Sequence, residues 1–188
     1  WVSNWTSEKG FSKIVLSGGG SLNIKASKKI SELDQVSDIH VCLGGGDESL
    51  SIGAAQFVWN KYKDAKLLKP INQPYLDLGF NESDVNLAIE HPFVKQNYDI
   101  IQGIDAKEIA KILSKNNIVA YMHGRMEFGP RALGNRSILA SPINPSIVQV
   151  INNVIKNRDF WMPFTPSIKA ECKDQYIKNP KNINANHM

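Results

Sequence analysis

Arginine is scarce in this sequence and concentrated in one place. Of the 22 basic residues only four are arginine, and Arg125, Arg131 and Arg136 all fall between Gly124 and Ser137. The fourth, Arg158, follows shortly after. A guanidinium offers a planar fork of donors that matches a carboxylate or phosphate in two bonds, which a lysine ammonium does not. Gly124, Gly129, Gly134 and Pro130 thread between the arginines, so the backbone can turn tightly and approach a ligand closely. The pattern reads as an anion-binding loop, with phosphate as the natural ligand. The alternative is a set of arginines paired with structural carboxylates, for which Glu127 is the local candidate. A run of basic and aromatic residues of the kind that binds nucleic acid is missing.

A second kind of chemistry lies upstream. Gly18-Gly19-Gly20-Ser21-Leu22-Asn23 and Gly44-Gly45-Gly46-Asp47-Glu48-Ser49 are glycine turns, each preceded by a β-branched run and followed by a helix-forming segment. In that geometry backbone N–H groups and a helix N-terminus face a phosphate or sugar; a tight strand-to-helix turn with no ligand has the same composition. Asp47 is placed for a cation or a ribose hydroxyl, or else it caps the following helix. Lys156 and Arg158 emerge at the end of an apolar helix beside Phe160-Trp161-Met162-Pro163-Phe164-Thr165-Pro166, although lysine at a helix C-terminus is also favoured by the dipole alone. His40, His91, His123 and His187 are dispersed and show no metal-ligand spacing. His123 abuts the arginine loop and is either a hydrogen-bonding partner of substrate or structural. With no nucleophile constellation, the chemistry left is driven by positioning and charge neutralisation, as in phosphoryl or adenylyl transfer.

The elements that must position these groups follow an α/β plan. Lys13–Ser17 and Asp38–Leu43 are predicted strands, with helices to about Leu33 and over Leu50–Tyr62. Two consecutive strand-glycine-helix units put functional loops at the carboxyl ends of strands. Gly53-Ala54-Ala55 is small enough to lie tightly on that sheet. Residues 64–98 change character, with Pro70, Pro74 and Pro92 marking a connector interrupted by a short helix around Ser83–Glu90. Asp105-Ala106-Lys107-Glu108 is a capping box, Ile118–Met122 a strand that delivers the arginine loop, and Ser137–Ala140 a strand leaving it. Asn144-Pro145 opens a helix carrying Ile147, Val148, Ile151, Val154 and Ile155 at helical spacing.

Composition sets the outer limits. With 188 residues and 42% hydrophobic content the chain can form one large or two small domains. No apolar run approaches the roughly 18 residues a membrane span needs. The net charge of +4 comes from scattered lysines. Cys42 and Cys172 fit no metal or redox spacing and read as reduced, buried thiols of a cytoplasmic protein, with a disulfide as the alternative. The first residue, Trp1, and the polar end at Met188 give the look of a piece of something longer.

The stretch Gly124-Arg125-Met126-Glu127-Phe128-Gly129-Pro130-Arg131-Ala132-Leu133-Gly134-Asn135-Arg136-Ser137-Ile138-Leu139 closely resembles the signature of the nodulation and antibiotic-biosynthesis O-carbamoyltransferases. Leu16–Asn23, Gly46–Ala55 and Asn152–Pro166 resemble further segments of that family in the same order. The resemblance implies a mixed α/β chain comprising the end of an actin-like ATPase-fold domain (1–69), a connector (70–98) and a partial YrdC-like domain (99–188). It implies ATP with Mg2+, a further metal such as Fe2+ in the transfer domain, carbamoyl phosphate as donor and a hydroxyl-bearing small molecule as acceptor. Carbamoyl adenylate would form with release of pyrophosphate, and its carbamoyl group would pass to the acceptor. By motif, Arg125, Arg131, Arg136, Lys156 and Arg158 would hold phosphates and carbamoyl donor; Gly18, Gly19 and Asn23, with Asn135 and Ser137, would contact nucleotide; Asp47 would be a metal ligand. Neither membrane nor nucleic acid is an expected partner, and a homodimer is compatible with the resemblance.

Departures from the family pattern accompany it. The upstream histidine pair and the later Asn-Thr-Ser-Phe-Asn segment are not in this sequence, and Trp161 stands where many relatives have arginine. The stretch is therefore not expected to complete the transfer alone. Rival readings are an enzyme of tRNA threonylcarbamoylation, against which the long Arg125–Leu139 motif argues, and a nucleotide-binding module without catalysis.

Overall fold

The computed structural model describes residues 1–63, 71 and 73–184. The architecture is mixed α/β with two small sheets, and the chain divides into two units. The first comprises Trp1–Asp77, Met126–Leu133 and Glu171–Met188; the second comprises Leu78–Arg125 and Gly134–Ala170.

The first unit opens with α1 (Val2–Lys9), which Gly10 ends in a left-handed conformation, φ 70°, its N–H donating to Thr6 O. Strands β1 (Lys13–Leu16) and β2 (Asp38–Val41) pair in parallel, Lys13 opposite Asp38 and Leu16 opposite Val41. The crossover between them is α2 (Ile24–Ser31), as a parallel pair requires. Val36, just before β2, and Ile39, within it, are the buried apolar side chains of this unit among the described residues. Helix α3 (Ser49–Tyr62) follows the second glycine turn. Gly53, Ala54 and Ala55 are exposed on it, and a β-carbon at Gly53 would meet nothing within 4 Å. The expectation that these three lie tightly on the sheet is therefore corrected: small size permits close packing but does not supply a partner.

The second unit carries α4 (Glu82–Glu90), α5 (Pro92–Asn97) and α6 (Ala106–Ser114). The Asp105 carboxylate accepts from the N–H groups of Lys107 and Glu108, both at 2.9 Å, and Glu108 accepts from Asp105 N–H at 3.3 Å. The capping box is thus formed as expected. Strands β3 (Val119–Met122) and β4 (Arg136–Leu139) are antiparallel, Met122 opposite Arg136.

The expected helix after Asn144 differs in two ways. Asn144 Oδ1 accepts from Ser146 N–H and the helix starts later, as α7 (Ile147–Val150). It then changes to π winding over Ile151–Ile155. Ile151, the first residue of the π segment, is its buried apolar side chain. Cys42 and Cys172 are free and partly exposed rather than buried.

Candidate functional site

The residues singled out by type and spacing fall into three local arrangements. One lies in the first unit, around the two glycine turns. Gly18 has φ 87° and Gly44 φ 64°, conformations open to glycine. Ser21, buried between the turns, places its hydroxyl 2.7 Å from Gly18 O and 3.1 Å from Gly45 O, so one proton ties the two turns together. Asn23 caps α2, its Oδ1 accepting from Ala26 N–H at 3.1 Å. That leaves the amide Nδ2 donors of Asn23 without a partner among the described residues.

Residues 126–133 of the arginine stretch also belong to this unit. The Phe128 ring and the Gly129 backbone pack against Gly44, Phe128 N–H donates to Pro74 O, and Tyr75 bridges to Glu127 as an isolated antiparallel pair. Buried Glu127 accepts the Leu133 N–H at 2.7 Å. The carboxylate proposed by sequence as an arginine partner thus also closes this segment on itself. Arg131 donates to Leu22 O at 3.3 Å and edges a small recess shared with Leu43, Gly44, Phe128 and Pro130. Arg131 is thereby placed beside the glycine turns and next to Asn23.

The second arrangement is the end of the β3–β4 hairpin. Arg136 donates through Nη1 to His123 O and Asn135 O, both at 2.9 Å, and through Nη2 to Gly124 O at 3.1 Å. Its guanidinium lies 5.3 Å from the Phe80 ring centre. Asn135 donates to Arg125 O at 2.7 Å, and Ser137 accepts from Gly134 N–H at 3.1 Å. These three side chains hold the backbone through which Arg125 is presented. The His123 ring stacks on Tyr121.

The third arrangement follows the π turn. Asn152 is wholly buried. Its amide donates to Phe160 O and Met162 O, both at 3.1 Å, and its oxygen accepts from Arg158 Nε at 2.8 Å. Arg158 lies over the Phe164 ring at 4.6 Å. Lys156 is exposed and its ammonium has no partner among the described residues. Neither Arg131 nor Arg158 forms an ion pair among the described residues. For these two the alternative of structural pairing with carboxylates is not realised.

Asp47 is exposed in its turn, and α3 has no side-chain cap, so the capping alternative is not what the structure forms. Among the described residues no three of His, Cys, Asp and Glu converge on a point. The donors present therefore do not by themselves fit a metal centre. Sequence reasoning passed over Ser21 and Asn152. Ser21 had a signal, since a hydroxyl inside a glycine turn has few acceptors other than backbone; Asn152 had none, because its partners lie 6 to 10 residues further on.

Residues 110–188 match the family model described as the carbamoyltransferase C-terminus. An uncharacterized protein of Synechocystis is 35% identical over 176 residues, covering 91% of this chain and 29% of that protein. Nodulation protein NolNO of Sinorhizobium fredii is 30% identical over 176 residues, covering 91% of this chain and 25% of that protein. Nodulation protein NolO of Bradyrhizobium diazoefficiens is also 30% identical over 176 residues, with 91% and 31% covered. The chain thus spans about a third or less of the length of these curated relatives. No described helix is long and apolar enough to cross a membrane. Residues 110–188 thus match the carbamoyltransferase C-terminus, and over 91% of its length the chain is similar to the nodulation proteins NolNO and NolO.

Proposed function

We propose that this chain contributes to a carbamoyltransferase that uses carbamoyl phosphate and ATP and delivers the carbamoyl group to an acceptor hydroxyl, residues 1–69 being the end of an actin-like domain and residues 99–188 part of a YrdC-like one. The atoms balance when carbamoyl phosphate first loses its phosphate to water. A carbamate oxygen then attacks the α-phosphorus of ATP, an O–P bond forms, and pyrophosphate leaves with the electrons of the broken bond. The acceptor hydroxyl next attacks the carbamoyl carbon, its proton is lost, and AMP departs.

No protein nucleophile is needed for either displacement. What the chain supplies is charge at phosphate oxygens and exclusion of wrong geometries. In this reading Arg125, Lys156 and Arg158 bind anionic oxygens of the donor and the adenylate, while Arg136, Asn135 and Ser137 shape the loop that carries Arg125. Arg131, beside Leu22 O, works with Gly18, Gly19 and the free amide of Asn23 on nucleotide phosphates at the transfer step. The observation that carries the reading is local to the second unit: the Arg136 bonds to the His123, Asn135 and Gly124 carbonyls hold the backbone from which Arg125 extends.

The test is ATP–pyrophosphate exchange by the full-length protein with and without carbamoyl phosphate, alongside Arg125→Ala. Exchange that needs carbamoyl phosphate and falls at least tenfold in the variant supports adenylate formation; a drop of that size corresponds to about 1.4 kcal/mol of transition-state stabilisation. A folded protein that binds ATP but catalyses no exchange would overturn it.

A further inference from the structure

We propose that Asn152 and Phe164 are positioning residues that fix the Arg158 guanidinium for the phosphate of an anionic substrate. The inference rests on the reading that Arg158 meets such a substrate, and goes beyond it by naming what aims the side chain. An arginine has five N–H donors in one plane. Here the Nε–H is engaged by Asn152 Oδ1 at 2.8 Å, and one face of the plane lies over Phe164 at 4.6 Å. Those two contacts remove the rotational freedom of the group and leave its terminal nitrogens, the edge that makes bidentate bonds to phosphate, with no partner among the described residues.

Asn152 is itself held. It is wholly buried, and both amide hydrogens are used on Phe160 O and Met162 O. A second link runs through the backbone, Arg158 N–H donating to Asn152 O at 3.0 Å. Between them Asn157 takes the left-handed conformation, φ 45°, which reverses the chain after the π turn and returns Arg158 to the side chain six residues before it. A non-glycine residue in the left-handed region and a π turn are both uncommon, and π turns recur at functional sites. A purely structural staple would need only the two carbonyl bonds. The Oδ1 bond and the ring beneath the guanidinium both act on Arg158 itself.

The experiment is a double-mutant cycle on the affinity of the full-length protein for carbamoyl phosphate, with ATP affinity measured in parallel. Arg158→Ala, Phe164→Leu, Phe164→Trp, Asn152→Ala and the doubles with Arg158→Ala are compared. Phe164 is partly exposed, so its variants test the idea even where Asn152→Ala is too unstable to purify. The expected result is a loss of roughly three- to tenfold for Phe164→Leu, recovery in Phe164→Trp, a loss of at least that size for Arg158→Ala, no further loss in the doubles, and changes in ATP affinity that run parallel in Phe164→Leu and Arg158→Ala. If Arg158→Ala weakens binding and Phe164→Leu does not, or if the losses simply add, the positioning role is overturned while the anion site stands. If Arg158→Ala itself leaves carbamoyl phosphate affinity unchanged, the assignment of Arg158 to the anion site fails, and the positioning role fails with it.

Discussion

Gly44 and Gly129 meet backbone to backbone: a β-carbon on Gly129 would stand 2.7 Å from the Gly44 Cα. Both residues have positive φ, 64° and 108°. The approach seats the Phe128–Gly129 segment on the second glycine turn, with no room for a methyl group at the contact. Gly129→Ala is therefore expected to destabilise the protein by about 3 kcal/mol or more, the sum of backbone strain and a clash with backbone that cannot rotate away. Gly19→Ala, where nothing lies within 4 Å, is expected to leave the melting temperature unchanged and to weaken ATP binding. Thermal denaturation and ATP titration of the two variants separate a packing glycine from a ligand-facing one.

Arg136 is expected to behave as a scaffold residue. Its fork reaches three carbonyls in two directions, which a single ammonium cannot reproduce. Arg136→Lys should cost about 1–3 kcal/mol of stability and raise amide exchange at His123 and in the β3–β4 ladder. Unchanged exchange there would refute the role.

Glu127 is expected to matter as an acceptor. Glu127→Gln keeps an oxygen for the Leu133 N–H, whereas Glu127→Ala leaves that part-buried donor unsatisfied. The alanine variant should lose about 1–3 kcal/mol and the glutamine variant less, measured from denaturant midpoints. Equal losses would show that the Leu133 bond is not what Glu127 contributes.

Lys181 makes the largest stability prediction of the C-terminal segment. Its ammonium donates to Ser31 O at 2.8 Å, Leu33 O at 2.6 Å and Val36 O at 2.7 Å. Those carbonyls close the C-terminal end of α2, where a cation is favoured by the helix dipole as well. Lys181→Met, similar in length but without the charge, is expected to cost about 2 kcal/mol. It should also expose the residues around Asn179 to proteases. A variant as stable and as resistant as the parent would contradict this.

Local signals in the sequence were legible because their causes are local. The Asp105–Glu108 capping box needs only residues three apart, and the four strands needed only their β-branched runs, their ends shifting by up to two residues. Helix α1 has no clear period in the sequence beyond Trp1 and Trp5 falling four apart, because Val2–Lys9 has no apolar stripe; Gly10 closes it. Lys181 reads in sequence as one more solvated charge, because its three acceptors lie 145 to 150 residues away. Asn152 likewise gave no sign. A buried polar side chain is defined by its partners, and those come from the path of the folded chain. At the site, the arginine stretch was visible as one motif, but the structure divides its members: Arg131 goes with the first unit, Arg125 and Arg136 with the second.

That division has a consequence for inheritance. The chain passes between the two units after Asp77, Arg125, Leu133 and Ala170. A recombination event with one breakpoint anywhere from Leu78 to Ala170 would join a parent's first unit to foreign residues 171–188, replacing the Lys181 that closes α2. Neither unit can be acquired, lost or swapped as a contiguous block of gene. The two are therefore expected to descend together, and a chimera would need at least two crossovers and a matched 126–133 segment to keep both intact.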